Sequence, residues 1–237
     1  MSNIKSAMIM AAGFGTRMGT LTQDRPKPLL ELGKARLIDH ALAHLRDASV
    51  EHAVVNLHYL ADQIQSYLSG TRAPRISFSV EEPKILDTGG GIVHALPQLG
   101  TKPFAVLNSD AVFRGPNPIS ILCEHWNADL MDALLLLVPT TSARAYQRAG
   151  DFRLSTPLAA PERRGKASSA PFVYTGAQII RPEVFENAPA GAFSTNLIWD
   201  QLLRDGRLRA LPYDGTWVDV GTPAGLREAE AVLREPV

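Results

Sequence analysis

The sequence predicts an α/β protein, in which buried strands alternate with amphipathic helices. The run from Met8 to Ala12 is apolar and contains no alternating polar residues, which is typical of a strand covered on both faces. Apolar residues then recur with helical spacing from Arg36 to Leu45, and a second strand is predicted from His52 to Leu57. This alternation continues along the chain.

The later elements follow the same two periodicities. Helices are predicted over 59–68, 93–96, 119–126, 193–203 and 223–230, and strands over 76–80, 104–110, 133–138, 174–180 and 217–219. An outlying hairpin is expected to start within 150–154, followed by a mobile loop over 156–171, where proline and glycine are frequent. No repeat or linker divides the chain, which favours a single domain.

A segment from Gly13 to Gly19 follows the first strand and places small residues around Arg17. Backbone N–H groups can approach an anion closely in such a segment. Met18 occupies the place of the third glycine of a dinucleotide fingerprint, which argues against a dehydrogenase, and no Walker A ending is present. Lys27 lies between two prolines and is expected to be extended and outside any helix. Together these residues predict a phosphate-binding site.

Three consecutive glycines occupy positions 89–91. Glycine is costly in conformational entropy, so this run needs a reason. Asp87 or Thr88 can cap a helix whose first turn contains the glycines, with N–H groups that point outward. We expect this turn to accept a flat base against bare backbone. The alternative is a glycine-rich turn without a chemical role.

Two aspartates occur at the ends of predicted strands. Asp110 ends the strand predicted over 104–110, and Asp219 ends the last predicted strand. Ligands of open α/β sheets lie beyond the carboxyl ends of the strands, so both carboxylates are candidates for holding a metal ion. The alternative for Asp110 is a cap of the following turn.

The composition limits the partners of the protein. Lys and Arg number 24, as do Asp and Glu, so the formal net charge is zero and no basic field would attract nucleic acid. Cys123 is the single cysteine and is expected to be a small buried hydrophobic residue in a helix. No signal-peptide pattern begins the chain, and the apolar run 133–138 is too short to cross a bilayer. We expect a soluble cytoplasmic protein that binds neither nucleic acid nor membrane.

The strings AAGFGTRM (11–18) and RPKPLL (25–30) resemble the N-terminal motif of sugar-1-phosphate nucleotidyltransferases. GDF (150–152) and WVDVGT (217–222) extend the resemblance, which is strongest to the short bacterial N-acetylmuramate-1-phosphate uridylyltransferases. The resemblance implies a Rossmann-like three-layer sandwich with a mixed, mostly parallel central sheet, of the GT-A-like type, without a C-terminal β-helix. The E-K-P motif that grips the sugar in many relatives is absent, which leaves the identity of the sugar open.

The resemblance also implies residue roles. Arg17 and Lys27 are the expected catalytic cations, and Asp110 and Asp219 the expected ligands of Mg²⁺. The nucleotide-binding candidates are Ala11, Ala12, Gly13, Gly15, Thr16, Arg17, Glu82 and Gly90. The sugar-binding candidates are Asn108, Asp151, Thr175, Gly176 and Asn196.

The expected reaction transfers a nucleotidyl group from UTP to a sugar 1-phosphate, N-acetylmuramate α-1-phosphate, and releases pyrophosphate in cell-wall recycling. One alternative is another NDP-sugar pyrophosphorylase that uses dTTP, GTP or CTP with a hexose 1-phosphate or phosphocholine. A second is a non-catalytic nucleotide-sugar sensor, which has no need of the charged residues that this chain carries. We expect one domain over 1–237, with a nucleotide-binding half up to about residue 112 and a sugar-binding half after it, present as a monomer or weak dimer.

Overall fold

The computed structural model of the chain describes residues 4–235. This range contains six α-helices: α1 (Leu37–Asp47), α2 (Ala61–Leu68), α3 (Asp87–Leu99), α4 (Pro118–His125), α5 (Asn196–Arg204) and α6 (Pro223–Arg234). It also contains fourteen strands: β1 (Ser6–Met10), β2 (Glu31–Leu32), β3 (Ala35–Arg36), β4 (His52–Leu57), β5 (Arg75–Val80), β6 (Phe104–Asn108), β7 (Ala111–Arg114), β8 (Ala133–Pro139), β9 (Ala143–Arg144), β10 (Phe152–Arg153), β11 (Glu162–Arg163), β12 (Phe172–Ile180), β13 (Leu208–Pro212) and β14 (Thr216–Asp219).

The main sheet is mixed, as predicted. Its first-half strands β6, β1, β4 and β5 pair in parallel in that order. Strand β12 joins β6 in antiparallel pairing and leads on to β8 and β10, while β13 pairs in parallel with β8. Because the parallel strands end at one edge, Met10 has Asn56 as its partner on one side and Asn108 on the other. The candidate active site lies at this edge.

Helices cover both faces of the main sheet, which gives three layers. In β1, Ala7 and Ile9 belong to one hydrophobic core and Met8 to the other, because successive side chains of a strand point to opposite faces. The first core includes residues of α1, α2 and α4, and the second includes residues of α3 and α5. A strand enclosed in this way carries apolar residues on both faces, which explains the uninterrupted apolar run at the N-terminus.

A smaller sheet, in the order β7, β14 and β9, lies beside the C-terminal helix. Val112 of β7 and Val218 of β14 share a third core with Val232 of α6. Met18 and Leu30 belong to the same core. The packing therefore holds the glycine-rich segment and the Lys27 segment beside the strand that ends in Asp219.

The structure corrects two local expectations. The segment 156–171 was expected to be a loop, but it contains β11, and the Leu158 N–H donates to the Ala210 carbonyl at 2.8 Å. Lys27 was expected outside any helix, but it opens a single 3₁₀ turn, Lys27–Leu29. That expectation was wrong because one such turn closes through the N–H groups of Leu29 and Leu30 and needs none from Pro28.

Cys123 and the lengths of the helices were also subjects of sequence-based expectations. Cys123 is half-buried in α4, and burial raises the pKa of its thiol to about 11. Among residues 4–235, every helix is too short or too polar to cross a membrane.

Strands β7 and β13 were not predicted, since each is only four or five residues long and lacks a clear alternation.

Candidate active site

A cleft of three adjoining cavities follows the carboxyl edge of β1, β4 and β6, and Met10 lines all three. We name each cavity after a charged residue in its wall. The lysine cavity, with Lys27, has a volume of about 210 Å³. The glutamate cavity, with Glu81, measures about 280 Å³, and the arginine cavity, with Arg163 and Arg164, about 440 Å³.

Lys27 and Asp110 form an ion pair in the wall of the lysine cavity. The distance from Lys27 Nζ to Asp110 Oδ2 is 2.5 Å. Lys27 is 8% exposed, and an ammonium group that is so far buried is stable only beside an opposite charge. The two residues are 83 positions apart, so the third core, not the local sequence, brings them together.

The glycine-rich segment folds back onto the Lys27 segment. Gly15 has a φ of 66°, in the left-handed region, and a Cβ at this position would lie 3.0 Å from Lys27 Cβ. The Thr22 hydroxyl donates to the Gly15 carbonyl at 3.0 Å and closes the loop. Both the turn and the close approach therefore require glycine at position 15.

Backbone donors of this loop are available to a ligand. Ala12, Gly13 and Gly15 make no N–H hydrogen bond to any residue of the described range. Ala11 differs, because its N–H donates to Asn56 Oδ1 at 2.7 Å. Ala12, Gly13 and Gly15 can thus donate an unused N–H to an anion. Ala11 lines the cavity, but its N–H is already used.

Arg17 lines the lysine cavity next to Gly221. A Cβ at Gly221 would lie 2.6 Å from Arg17 Nη1, so the absence of a side chain there makes room for the guanidinium. Arg17 forms no ion pair with the part of the chain that the structure describes. Its charge is therefore available to an anionic ligand. Thr16, also predicted, lines the same cavity.

The small sheet places the backbone of Asp219 beside that of Asp110, although only Asp110 lines the lysine and glutamate cavities. The register of β14 and β7 pairs Asp219 with Ala111, the residue that follows Asp110. Arg148 Nη2 lies 3.2 Å from Asp219 Oδ2, and Lys27 contacts Asp110 Oδ2. Each aspartate keeps its Oδ1 without a partner among residues 4–235.

The glutamate cavity contains a buried carboxylate that the sequence analysis did not select. Glu81 is 0% exposed and accepts hydrogen bonds from Asn56 Nδ2 and the Leu86 N–H, each at 2.7 Å. The predicted residue, Glu82, is exposed and lies outside the cavity. Of these two neighbours Glu81 is therefore the better-placed candidate, because it lines the glutamate cavity and Glu82 does not.

The run Gly89–Gly91 forms the first turn of α3, as expected, but its backbone does not face a ligand. The N–H groups of Gly89 and Gly90 both donate to the Phe193 carbonyl, at 2.8 and 3.2 Å. A Cβ at Gly90 would collide with the Gly191 carbonyl oxygen. Another segment of the chain fills the space that glycine leaves, so the geometry gives no support to the prediction that Gly90 binds the nucleotide, and it stays a prediction.

Three predicted sugar-binding residues line the arginine cavity: Asn108, Asp151 and Asn196. The Asn108 side chain makes no hydrogen bond within residues 4–235, so its amide is available. Asp151 Oδ2 accepts the Tyr174 N–H at 3.0 Å, and Asn196 Oδ1 accepts from Arg163 Nη1 at 2.8 Å. Asn108 also lines the glutamate cavity, which makes it the junction between the two.

Thr175 and Gly176 have structural roles instead of the predicted direct contact with the sugar. Thr175 is 0% exposed, and its hydroxyl donates to the Leu136 carbonyl at 2.8 Å. Gly176 has a φ of 86°, and a Cβ there would lie 2.6 Å from Asn108 Nδ2. The Thr175 side chain is thus used within the core and its contact with the sugar stays a prediction without support here, whereas Gly176 makes room for Asn108.

Arg163 and Arg164 were missed because they lie in the segment expected to be a mobile loop. Arg163 packs over the rings of Phe152 and Trp199, with its Cζ 4.9 and 5.3 Å from their centroids. The only signal in the sequence was two adjacent arginines in an otherwise small and polar stretch.

Tyr174 is a further residue of the arginine cavity that sequence reasoning did not select. Its ring contacts Trp199 edge to face, with centroids 4.7 Å apart. Burial raises the pKa of its phenol, so the hydroxyl stays protonated and can donate a hydrogen bond.

A cleft that offers unused backbone amides and two cations to phosphates, next to two larger cavities, has the features of a nucleotidyltransferase. The sequence matches the MobA-like NTP transferase domain over residues 7–195, and the chain belongs to this family of nucleotidyltransferases. It is therefore an enzyme of the class that transfers a nucleotidyl group.

Similar proteins cover the chain almost completely. It is 40% identical to the N-acetylmuramate alpha-1-phosphate uridylyltransferase of Caulobacter vibrioides over 98% of both chains. It is 35% identical to the protein of that name from Neisseria meningitidis, over 95% of this chain and 97% of the relative. Among solved structures, the inositol-1-phosphate CTP transferase of T. maritima matches with a TM-score of 0.80 at 14% identity, over 100% of this chain and 99% of that one. This last likeness shows the shared fold.

Proposed function

We propose that this enzyme transfers a uridylyl group from UTP to N-acetylmuramate α-1-phosphate and releases pyrophosphate. The observation that carries the proposal is the position of the Lys27–Asp110 pair. Asp110 lines both the lysine and glutamate cavities, and Met10 connects them to the arginine cavity. Two reactants, one bound in each larger cavity, can thus bring their phosphates together in the lysine cavity at one buried cation. The two relatives of Caulobacter and Neisseria support the choice of sugar and base.

The reaction is a displacement at phosphorus. An oxygen of the sugar phosphate forms a bond to the α-phosphorus of UTP, and the bond from that phosphorus to the bridging oxygen breaks. Pyrophosphate leaves with the electron pair. Both reactants are anions, so catalysis consists mainly of positioning and of stabilising negative charge, without a protein nucleophile.

The residues of the lysine cavity have distinct tasks in this scheme. Lys27 places a compact charge against the reacting phosphates, because Asp110 holds its ammonium at the cavity wall. Arg17 presents a planar fork to the outer phosphates of UTP. The unused N–H groups of Ala12, Gly13 and Gly15 donate to phosphate oxygens once the nucleotide is bound.

Asp110 and Asp219 fit a magnesium ion. Their Oδ1 atoms are unused among the described residues, and Mg²⁺ commonly takes one or two carboxylates together with waters and substrate phosphates. Within residues 4–235 no group of three His, Cys, Asp or Glu side chains surrounds a metal position, so substrate oxygens would have to complete the shell. When bound, Mg²⁺ supplies positive charge that offsets the phosphates.

Substrate binding on this scheme uses both halves of the chain, which supports a single domain over 1–237. The arginine cavity is lined by Met10 and Asn108 from the first half and by Asp151 and Asn196 from the second. We also propose that the enzyme is cytoplasmic and acts as a monomer or weak dimer without nucleic acid or membrane partners. A neutral net charge supports the absence of a nucleic-acid partner.

The proposal is tested by pyrophosphate release. The protein is incubated with Mg²⁺, each of UTP, dTTP, GTP and CTP, and a panel of sugar 1-phosphates. We expect the highest kcat/KM with UTP and N-acetylmuramate α-1-phosphate, and no release when a chelator removes the metal. A higher kcat/KM with another pair would replace the substrate assignment, and no release with any pair would indicate a sensor.

The metal assignment has its own test. Asp219→Asn should raise the Mg²⁺ concentration that gives half-maximal rate by roughly tenfold or more, since one of two carboxylate ligands is lost. Asp214→Asn, an exposed aspartate five residues earlier, is the matched control. An unchanged Mg²⁺ dependence in Asp219→Asn would contradict the assignment.

A further inference from the structure

Two adjacent arginines face the arginine cavity, but their charges are used differently. Arg163 Nε lies 2.8 Å from Asp200 Oδ1, and its two other nitrogens donate to Asn196. The rings of Phe152 and Trp199, which contact each other, also pack against its guanidinium. Arg163 is therefore neutralised and held in place by the protein.

Arg164 has no such counter-charge. Its Nε donates to the Gly150 carbonyl at 3.0 Å and its Nη1 to the Ala167 carbonyl at 3.2 Å. Within the described part of the chain it forms no ion pair, and its Nη2 has no partner. Two carbonyls hold the half-buried guanidinium in position, while one edge of the fork is left for a ligand.

The acidic residues of the same cavity do not compensate this charge. Asp151 Oδ2 accepts the Tyr174 N–H, and Asp87 Oδ1 accepts the Thr88 N–H. Neither carboxylate is within ion-pair distance of Arg164. A partly buried cation without an acidic partner favours a ligand that brings an anion.

In the proposed function the phosphates of the substrates lie in the lysine cavity and do not supply that anion. Arg17 and Lys27 line the lysine cavity, and Arg164 lines only the arginine cavity. The anion at Arg164 must therefore belong to the sugar itself. N-acetylmuramate carries one, because its lactyl ether ends in a carboxylate that N-acetylglucosamine lacks.

We propose that Arg164 binds the lactyl carboxylate of the sugar 1-phosphate and so selects the muramate over the neutral hexosamine. This inference rests on the proposed function. A guanidinium fork matches a carboxylate in shape and charge, and the two backbone carbonyls fix its orientation before the sugar arrives. The interaction is present in the bound ground state as well as during reaction, so it should act mainly on KM.

The test compares two sugars that differ only in the lactyl group. Pyrophosphate release is measured with UTP and either N-acetylmuramate or N-acetylglucosamine α-1-phosphate. Arg164→Met should lower kcat/KM for the muramate roughly 10- to 100-fold, mainly through KM, and change it less than about threefold for the hexosamine. Arg164→Lys should give an intermediate loss on the muramate alone.

Lys166→Met is the matched control, because Lys166 is an exposed cation two residues away and outside the cavity wall. It should leave both sugars unchanged, and melting temperatures of all variants check folding. If Arg164→Met is unfolded at the assay temperature, Arg164→Lys carries the comparison.

Four results would overturn the inference: equal losses on both sugars, no loss on the muramate, an equal loss in Lys166→Met, or a wild-type preference for glucuronate 1-phosphate over the muramate. The last would place the carboxylate elsewhere on the sugar ring. A wild-type enzyme that does not use the muramate at all would instead defeat the proposed function, which is a distinguishable result.

Discussion

Two glycine-rich segments of this protein have the same sequence character and opposite structural roles. The segment around Gly13 follows β1, and Gly89–Gly91 lies in the first turn of α3. In both, the backbone was expected to contact a ligand. Around Gly13 the backbone is open: a Cβ there would meet no atom within 4 Å. At Gly89–Gly91 the space is filled by Phe193, Gly191 and Glu81.

The difference shows that a glycine-rich stretch indicates only that some atom approaches the backbone closely, and not which molecule that atom belongs to. In the loop after β1 that atom can belong to a phosphate, since the N–H groups are unused. In α3 it belongs to the protein, because the segment containing Phe193 caps the helix in place of a ligand. The glycines of this helix turn thus support the site by packing against Glu81 and against the segment that contains Gly191 and Phe193.

The largest effect is expected at the cation beside the open loop. Lys27→Met should lower kcat roughly 10²- to 10³-fold, as for the loss of a donor aimed at developing charge. The fold should persist, because Asp110 is partly exposed and water can replace its partner. Steady-state pyrophosphate release measures the effect.

Lys34→Met serves as its control, since Lys34 is exposed in the turn between β2 and β3. A kcat for Lys27→Met within threefold of the control would remove Lys27 from the catalytic scheme.

A substitution in the filled segment should act on stability instead. Gly90→Ala places a methyl group against the Gly191 carbonyl and should lower the free energy of unfolding by about 1–3 kcal/mol. The expected drop in melting temperature is about 2–4 °C per kcal/mol for a chain of this size. Gly70→Ala is the control, because its Cβ meets no atom within 4 Å. Equal melting temperatures for the two variants would show that the segment containing Gly191 can move aside. That result would contradict the difference between the two glycine-rich regions.

The reverse pattern is expected in the open loop. Gly13→Ala should leave the melting temperature nearly unchanged, since the methyl group meets no protein atom. It projects beside the lysine and glutamate cavities, so KM for UTP should rise by roughly tenfold, equivalent to about 1.4 kcal/mol. Initial rates at varied UTP measure this. An unaltered KM together with a lowered melting temperature would place Gly13 with the filled segment.

The smallest effect is expected at Glu82, which is exposed and outside the cavities. Glu82→Gln should change stability by less than about 0.5 kcal/mol, as surface substitutions generally do. Glu81→Gln is the comparison, because it replaces a buried acceptor of two hydrogen bonds with a group that can donate against Asn56. Urea unfolding measures the change in the free energy of unfolding for both variants. A larger loss in Glu82→Gln would reverse our choice between these neighbours.

Much of the fold was predictable from local patterns. Strand β4 was predicted with its observed bounds, His52–Leu57, because its centre, Ala53–Val55, is an apolar run buried on both faces of the sheet. Strands β7 and β13 were not predictable in this way, since their pairing with β14 and β8 depends on partners 75 to 108 residues away in the chain.

The sequence by itself determined the order of buried strands and amphipathic helices, the flexible loop around Gly13 and the identity of its charged neighbours. Only the tertiary structure decided which groups neutralise one another. Lys27 is paired with Asp110 and Arg163 with Asp200, while Arg164 is left to the cavity. Periodicity and glycine content describe the freedom of a short stretch of backbone, whereas charge compensation depends on contacts between residues far apart in the chain, which local patterns do not encode.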